Sequence, residues 1–522
     1  MTEETVDVLV VGAGLGGLSA SMFLAQQGIR VLTVERHPST AIHPRASGQS
    51  PRTMELYRFA GIDEKVLGVS KRASQGLRIT IAESLNGHVI HRILEDVSEI
   101  DLNVAVGVPW GMAGQDVVEP ILLARAEELG ARVRFSTELV SFEQDDDGVT
   151  AVLSSGTVRA KYLVAADGGR SRIRERLGID TEGMGVLGNA IGVVFDADLG
   201  DRLEPDVTDL YHLRHPSFTG VLVNTDVPNR FVFGTDFHPE KGEKADDFTP
   251  ERVTELIRLA TDLPGLRPDI RWIGAWEMAA KIASRFRSGR VLLVGDAAKV
   301  TPPTGGMGGN TAVGDGHDVA WKLAAVLRGE AGPALLDSYE AERKPFAELV
   351  VNASLHNLKH RMMPHLDISG LPEPVNQVEL ALGYRCFSAA VLIEDDDPRP
   401  TEDPNRPSGR AGFRAPHVPI TVDGISMSTV DLLGRDWVLV TADPSWRPVV
   451  ATAGEAVGLR LDCRVLGSDF DASEELFLAR YGIQSTGATL VRPDGVVAWR
   501  AVTGVDDPDS TLREVLTHLL SR

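Results

Sequence analysis

Two stretches of the chain hold residues whose types and spacing could do chemistry. The first is Gly12-Ala13-Gly14-Leu15-Gly16-Gly17, with Glu35 behind it. Gly12 can make a tight turn, Gly14 can let backbone approach a pyrophosphate, and Gly17 can let a helix pack close to a sheet. Val6 to Val11 is an apolar, β-branched run suited to a buried parallel strand. A helix from about Leu15 to Gln27 would aim its N-terminal N–H groups at the phosphates, with Gly28 closing it. A second strand, Arg30 to Val34, then delivers Glu35 to where a ribose diol would meet it. A glycine-rich turn with no ligand is the alternative, but strand, helix, second strand and acid together favour a dinucleotide. Glu35 would repel a 2′-phosphate, which argues against NADP in this site. This stretch alone leaves a nicotinamide and a flavin both open.

The second stretch is GDAAKVTPPTGGMGGN, Gly295 to Asn310. It places Asp296 at the end of the strand-like run RVLLV, ahead of a proline- and glycine-rich loop and a long helical region. Capping a helix is the plainer role for Asp296. Asp167-Gly168 closes another strand in YLVAADGG, and an Asp-Gly pair is often only a turn. Other chemistries find no support. No second GxGxxG follows a strand, so there is no separate nicotinamide domain of the kind reductases with two dinucleotide sites usually carry. No GxSxG nucleophile elbow occurs, and no His/Cys/Asp cluster has metal-ligand spacing. The two cysteines, Cys386 and Cys463, make neither a CxxC nor a disulfide framework.

The elements that must position these residues follow from the pattern along 522 residues, enough for two or three domains. With 43% hydrophobic and 24% charged residues the composition is that of a soluble globular protein. A net charge of −21 argues against nucleic acid and anionic membrane surfaces as partners. The start, MTEETVDV, lacks a basic signal-peptide region, and no apolar run is long enough to span a bilayer, so a cytoplasmic location is expected. Helices are expected near 115–129, 250–260 and 311–365, the last broken at 329–332. Between 180 and 288 strand-like runs surround a helix and read as a mostly antiparallel sheet interrupting an α/β unit. EDDDPRPTEDPNRPSGRAG, 394–412, reads as a linker, and a compact α/β unit follows it. The expected division is therefore 1–179 with 289–393, an inserted middle unit at 180–288, the linker, and a C-terminal unit at 413–522.

Taken together, these motifs resemble the flavoprotein aromatic hydroxylases of the para-hydroxybenzoate hydroxylase type, in their family order and spacing. Within that family, PRASGQSPRTMELYRFAGI, GDAAKVTPPTGGMGGN and the tail are similar to the hydroxylases of aromatic polyketides. The resemblance implies an α/β fold: a Rossmann-like FAD domain, an inserted antiparallel substrate sheet and a C-terminal thioredoxin-like unit lacking CxxC. It implies bound FAD, transient NADPH or NADH, and O2, with hydroxylation through a flavin C4a-hydroperoxide and no metal.

The implied FAD contacts are Gly12, Gly14, Gly17, Glu35, Arg36, Arg45, Gln115, Asp167, Asp296, Pro303, Gly306, Gly308 and Asn310. Lys299 stands where the family usually has His. Tyr211, Phe233 and Trp276 of the middle sheet are candidates for substrate contact, with His212 and His215 nearby. Arg385, in LGYRCFSA, is a candidate for steering substrate or assisting the peroxide, a surface salt bridge being the alternative.

The substrate implied is an electron-rich polycyclic aromatic polyketide, and the chain a monomer or homodimer. Baeyer–Villiger insertion, antibiotic inactivation, and a non-catalytic flavoprotein that sequesters an aromatic drug are the alternatives.

Overall fold

The computed structural model describes residues 4–43, 47–70, 77–94, 107–203 and 207–522. Its first sheet has five parallel strands at its centre. In spatial order they are Val291–Leu293, Gly156–Ala165, Glu4–Val11, Val31–Val34 and Arg132–Arg134. Val8 pairs with Tyr162 on one side and Val31 on the other. Val8, Leu9 and Val10 are fully buried. Such a strand, covered on both faces, needs the unbroken apolar run seen in the sequence. Helix Leu15–Gln26 lies over the sheet and packs against helices Met307–Leu327 and Gln115–Glu128.

The second sheet has eight strands in the order Lys299–Val300, Asp269–Ala283, Thr181–Asp196, Arg230–Phe237, Phe218–Asn224, Thr208–His215, Leu77–Ala82, Val89–Leu94. Its central pairs are antiparallel, as expected. It is not confined to 180–288, however. Leu77–Ala82 joins it by parallel pairing with Thr208–His215, placing Ile81 opposite His212. Two strands expected within the first unit therefore extend the second sheet. Helix Pro250–Thr261 covers one face, burying Val253, Ile257 and Ala260 against Phe195, Phe231 and Phe233.

The C-terminal unit orders its strands Leu461–Val465, Trp437–Thr441, Ala488–Val491, Val497–Ala501, with the first pair parallel and the others antiparallel. Helices Trp446–Val457 and Pro508–Leu519 pack together on it. This is a thioredoxin-like order, and both cysteines are free thiols. Its core is shared with the first unit, because Trp321, Ala325 and Leu335 pack with Trp437, Trp446 and Leu516. The segment expected as a linker is bound in place. Tyr384 bridges Thr401, and the Arg385 N–H donates to the Pro400 carbonyl at 2.8 Å.

Candidate active site

The glycines of the first motif answer steric demands. Gly12 has φ +105°, and a Cβ there would lie 2.2 Å from the Ala166 carbonyl oxygen. A Cβ on Gly17 would lie 1.9 Å from the Gly12 oxygen. At Gly14, by contrast, the nearest atom to a Cβ is Glu119 Oε1 at 3.7 Å, so the space above it is open. Gly14 caps helix Leu15–Gln26 without any side-chain hydrogen bond. Gly114 and Gly306 likewise start helices Gln115–Glu128 and Met307–Leu327 with no side-chain cap. Each helix therefore opens on a glycine whose missing side chain leaves the positive end uncapped by its N-cap residue.

Glu119 links two of these ends. Its Oε1 accepts from Gln115 Nε2 at 2.6 Å, and its Oε2 from the Ala41 N–H at 2.7 Å. Glu35 ends the second strand, and its Oε2 accepts from the Ala13 N–H at 2.9 Å. Arg36 is exposed beside it. Arg45 lies outside the described residues. Helices opening on glycines, with a turn at Gly12 and Gly17 that only glycine can make and open space at Gly14, fit an elongated diphosphate group such as FAD.

Asp296 is exposed in an otherwise buried turn flanked by Gly295, Ala297 and Ala298. Pro303 and Gly306 are exposed next to it, with Gly308 half-buried. Asn310 ties this loop to the segment before Pro51. Its Oδ1 accepts from the Ser50 N–H at 2.8 Å and from Thr53 Oγ1 at 2.6 Å, while its Nδ2 donates to the Gly306 carbonyl at 2.8 Å. Asp167 holds the entry of helix Arg172–Arg176, accepting from Ser171 Oγ at 2.5 Å and the Ile173 N–H at 3.2 Å.

The eight-stranded sheet has two unlike faces. Phe233 pairs with Val193 and Leu222, and Tyr211 with Leu222, so all four point one way. That is the face covered by helix Pro250–Thr261. Phe233 is fully buried there, edge-to-face with Phe218, and Tyr211 packs on the same core. Both are corrected as substrate contacts: they stabilise the sheet from behind. Trp276 lies on the opposite face with Trp272, both beside Gly192. His43, from the loop after the second strand of the first sheet, stacks on Trp272 at 4.4 Å, so this face looks toward the glycine cradle.

Arg385 is also corrected. It is fully buried, and its guanidinium donates to Asp395 at 3.0 and 3.2 Å, to the Ala411 carbonyl at 3.1 Å and to the Asp397 carbonyl at 3.0 Å. Phe387 and Phe413 flank it at about 5 Å. With its donors engaged, it braces the segment expected as a linker.

Two other residues stand out instead: His212, named from the sequence only as a neighbour of the candidates, and Arg361, which sequence reasoning passed over. His212, on the cradle-facing side of its strand, is buried with neither ring nitrogen hydrogen-bonded among the described residues. Burial first, then the charges of Arg361 and Arg214, push its imidazole down to about 3, so it is neutral. Arg361, at the end of helix Asp337–Arg361, is buried. Among the described residues it has no carboxylate partner, and its Nε has no acceptor. Among the described residues its side chain donates to Asn357 Oδ1 at 3.3 Å, and Asn357 lies against Gly305 of the Gly295–Asn310 stretch. Arg361 closes HNLKHR, which in sequence reads as ordinary basic charge at a helix C-terminus. His212 carries no motif at all. A buried cation and a buried neutral imidazole, both with open valences, mark a place where a polar group is to be received.

Comparison with known proteins agrees. The family described as an FAD binding domain matches residues 5–354, and that of the aromatic-ring hydroxylase C-terminal region matches 408–522. Aklavinone 12-hydroxylase DnrF of Streptomyces peucetius is 56% identical over 85% of this chain and 92% of its own length. Aklavinone 12-hydroxylase RdmE of Streptomyces purpurascens is 48% identical, over the whole of both chains. The crystal structure of a ternary complex of aklavinone-11 hydroxylase with FAD and aklavinone superposes with a TM-score of 0.95, at 47% identity and full coverage of both chains. The fold, the glycine cradle and these matches lead to one conclusion: the chain belongs to the FAD-dependent aromatic-ring hydroxylases, enzymes that use NAD(P)H and O2.

Proposed function

We propose that this enzyme hydroxylates a polycyclic aromatic polyketide of the aklavinone type. The planar substrate would lie between the cradle-facing side of the eight-stranded sheet and the Gly295–Asn310 loop. The observation that carries this reading is the buried pair His212 and Arg361, with unused hydrogen-bonding capacity, on that side. The named relatives, aklavinone hydroxylases at about half identity over nearly the full chain, support the substrate class.

FAD would be held by the glycine cradle, by Glu35 and Gln115 near ribose and diphosphate, and by Asp296 at the ribityl chain. Arg36, Arg45, Asp167, Pro303, Gly308 and Asn310 would complete its surround. The division 1–179 with 289–393, 180–288 and 413–522 is retained for the cofactor, substrate and C-terminal units, with strands 77–82 and 89–94 added to the substrate sheet.

When bound and reduced, FAD activates O2 and supplies an electrophilic oxygen atom. The protein's part is to make the ring nucleophilic and to keep water out. Arg361 would hold a phenolic oxygen as phenolate, since a desolvated cation favours the anion beside it. Neutral His212, too weak a base to take the proton, can accept a hydrogen bond from the phenol at a ring nitrogen and so orient it beside Arg361. Trp272 and Trp276 lie against Gly192 on this face, and their indole rings would offer a flat apolar surface for fused rings.

The test is incubation of the FAD-loaded enzyme with NADPH, air and a panel of tetracyclic polyketides, read by mass spectrometry. One added oxygen placed on a ring is expected, together with a fall in kcat of about 10²-fold in His212→Phe and Arg361→Met, the size expected for losing a fixed hydrogen-bond or charge partner of a developing oxyanion. Oxygen insertion into a ring bond, or tight ligand binding with no oxygenated product, would instead favour Baeyer–Villiger or sequestering behaviour.

A further inference from the structure

Behind the Gly295–Asp296 turn lies a buried ionic triad that the proposed reaction does not use. Asp315, on helix Met307–Leu327, is fully buried. Its Oδ1 accepts from Arg343 Nε at 2.7 Å, and its Oδ2 accepts from the Gly295 N–H at 3.1 Å and from the ammonium of Lys299. Lys299 itself is only 3% exposed. Arg343 also donates to the Thr311 carbonyl at 3.3 Å, near the start of the same helix. One carboxylate thus pins three elements: the turn carrying Asp296, the helix whose N-terminus follows the Gly305-Gly306 loop, and helix Asp337–Arg361. Arg343 alone would neutralise Asp315. Burial pulls the Lys299 ammonium below its ordinary range, while Asp315 in contact with it and Asp296 nearby hold its proton, so the triad carries a second buried cation next to the exposed carboxylate of Asp296.

We propose that Lys299 is a positioning residue for the flavin: it holds the Gly295–Asp296 turn and supplies the positive charge that favours the reduced cofactor. This rests on the assignment of FAD to the cradle. Reduction adds negative charge to the ring system, so a nearby desolvated cation stabilises the reduced form more than the oxidised form. A lysine is costly to bury, and a merely structural tie at this point could be made by a neutral donor to Asp315.

The experiment compares wild type with Lys299→Met and Lys299→Gln. Glutamine can still donate to Asp315, which guards against simple loss of folding. Stoichiometric FAD binding by the wild type separately checks the flavin assignment. The decisive readout is the two-electron midpoint potential of bound FAD, with FAD affinity and apoprotein melting temperature recorded alongside. In both variants the potential should become more negative by roughly 30 mV, a tenfold loss of preference for reduced over oxidised flavin. An unchanged potential overturns the proposal, including the case in which affinity or melting temperature alone falls, because that pattern is purely structural.

Discussion

Arg492 of the C-terminal unit reaches Glu342 on helix Asp337–Arg361, Nη1 to Oε1 at 2.6 Å and Nη2 to Oε2 at 2.9 Å. Both side chains are essentially solvent-free, at 0% and 1% exposure. Glu342 also takes Lys322 at 2.9 Å, and Arg492 takes Asp494. Asp318, Glu342 and Asp494 face one another, but Lys322 and Arg492 already occupy the space among them, so the group is a salt-bridge network and not a metal site. Trp321 lies against both cations, 5.4 and 5.1 Å from its ring centre. The C-terminal unit is thereby keyed into the two helices that run back to the Gly295–Asn310 loop.

Removing one member of this network should cost more than removing a matched pair. Arg492→Met leaves three buried carboxylates with one lysine, a change expected to destabilise by about 3–5 kcal/mol. Arg492→Met combined with Glu342→Gln removes one charge of each sign. It should be less destabilised than the sum of the single variants, by at least about 1 kcal/mol. Chemical denaturation of the four proteins completes the cycle, and strict additivity would show that the pair is not coupled.

The two glycines Gly14 and Gly17 should fail differently. A Cβ on Gly17 collides with the Gly12 oxygen, so Gly17→Ala should lower the stability of the apoprotein by at least about 2 kcal/mol. At Gly14 a Cβ has room in the protein itself, so Gly14→Ala should leave the apoprotein melting temperature nearly unchanged. It should nonetheless weaken FAD binding, because the methyl group enters the path of the diphosphate. Fluorescence titration of both apoproteins separates the two effects, and equal FAD affinity in Gly14→Ala and wild type would remove Gly14 from the cofactor site.

Arg385 tests the opposite expectation. Since its guanidinium is engaged by Asp395 and backbone carbonyls, Arg385→Lys should lower the melting temperature. The kcat/KM of the folded fraction should change by less than about twofold, there being no contact with the reacting groups to lose. A large loss of kcat at normal stability would return Arg385 to the chemistry.

These cases show what the sequence could carry. The βαβ unit is legible because every demand in it is local: a turn at Gly12, a close contact at Gly17, an acid at Glu35 one strand later. The pairing of Leu77–Ala82 with Thr208–His215 leaves no such local mark, so the sheet is larger than its central segment suggests. Phe233 and Arg385 have residue types suited to a site, yet type says nothing of partners, and their partners make them structural. His212 and Arg361 are the converse. Each is unremarkable in its own segment, and their significance comes only from burial without partners, a property of the folded chain.

Acid should destabilise the enzyme through histidines that are buried neutral. His317 packs edge-on to Phe23 at 4.4 Å, and burial pushes its imidazole down to about 3 from an ordinary 6.5. The unfolded chain therefore binds a proton that the folded chain refuses, and stability is lost as pH falls below about 6.5. Between pH 7 and 5 this one residue should cost about 2 kcal/mol, and His212 about as much. Asp318 acts in the other direction, since burial raises its carboxyl to about 6 and the folded state takes up its proton first. The contribution of His317 is therefore best read as a difference. The pH slope of unfolding free energy over this range should be shallower in His317→Phe than in wild type by about 1 kcal/mol per pH unit. Parallel slopes would mean that His317 is protonated in the folded protein, and that its burial does not hold it neutral.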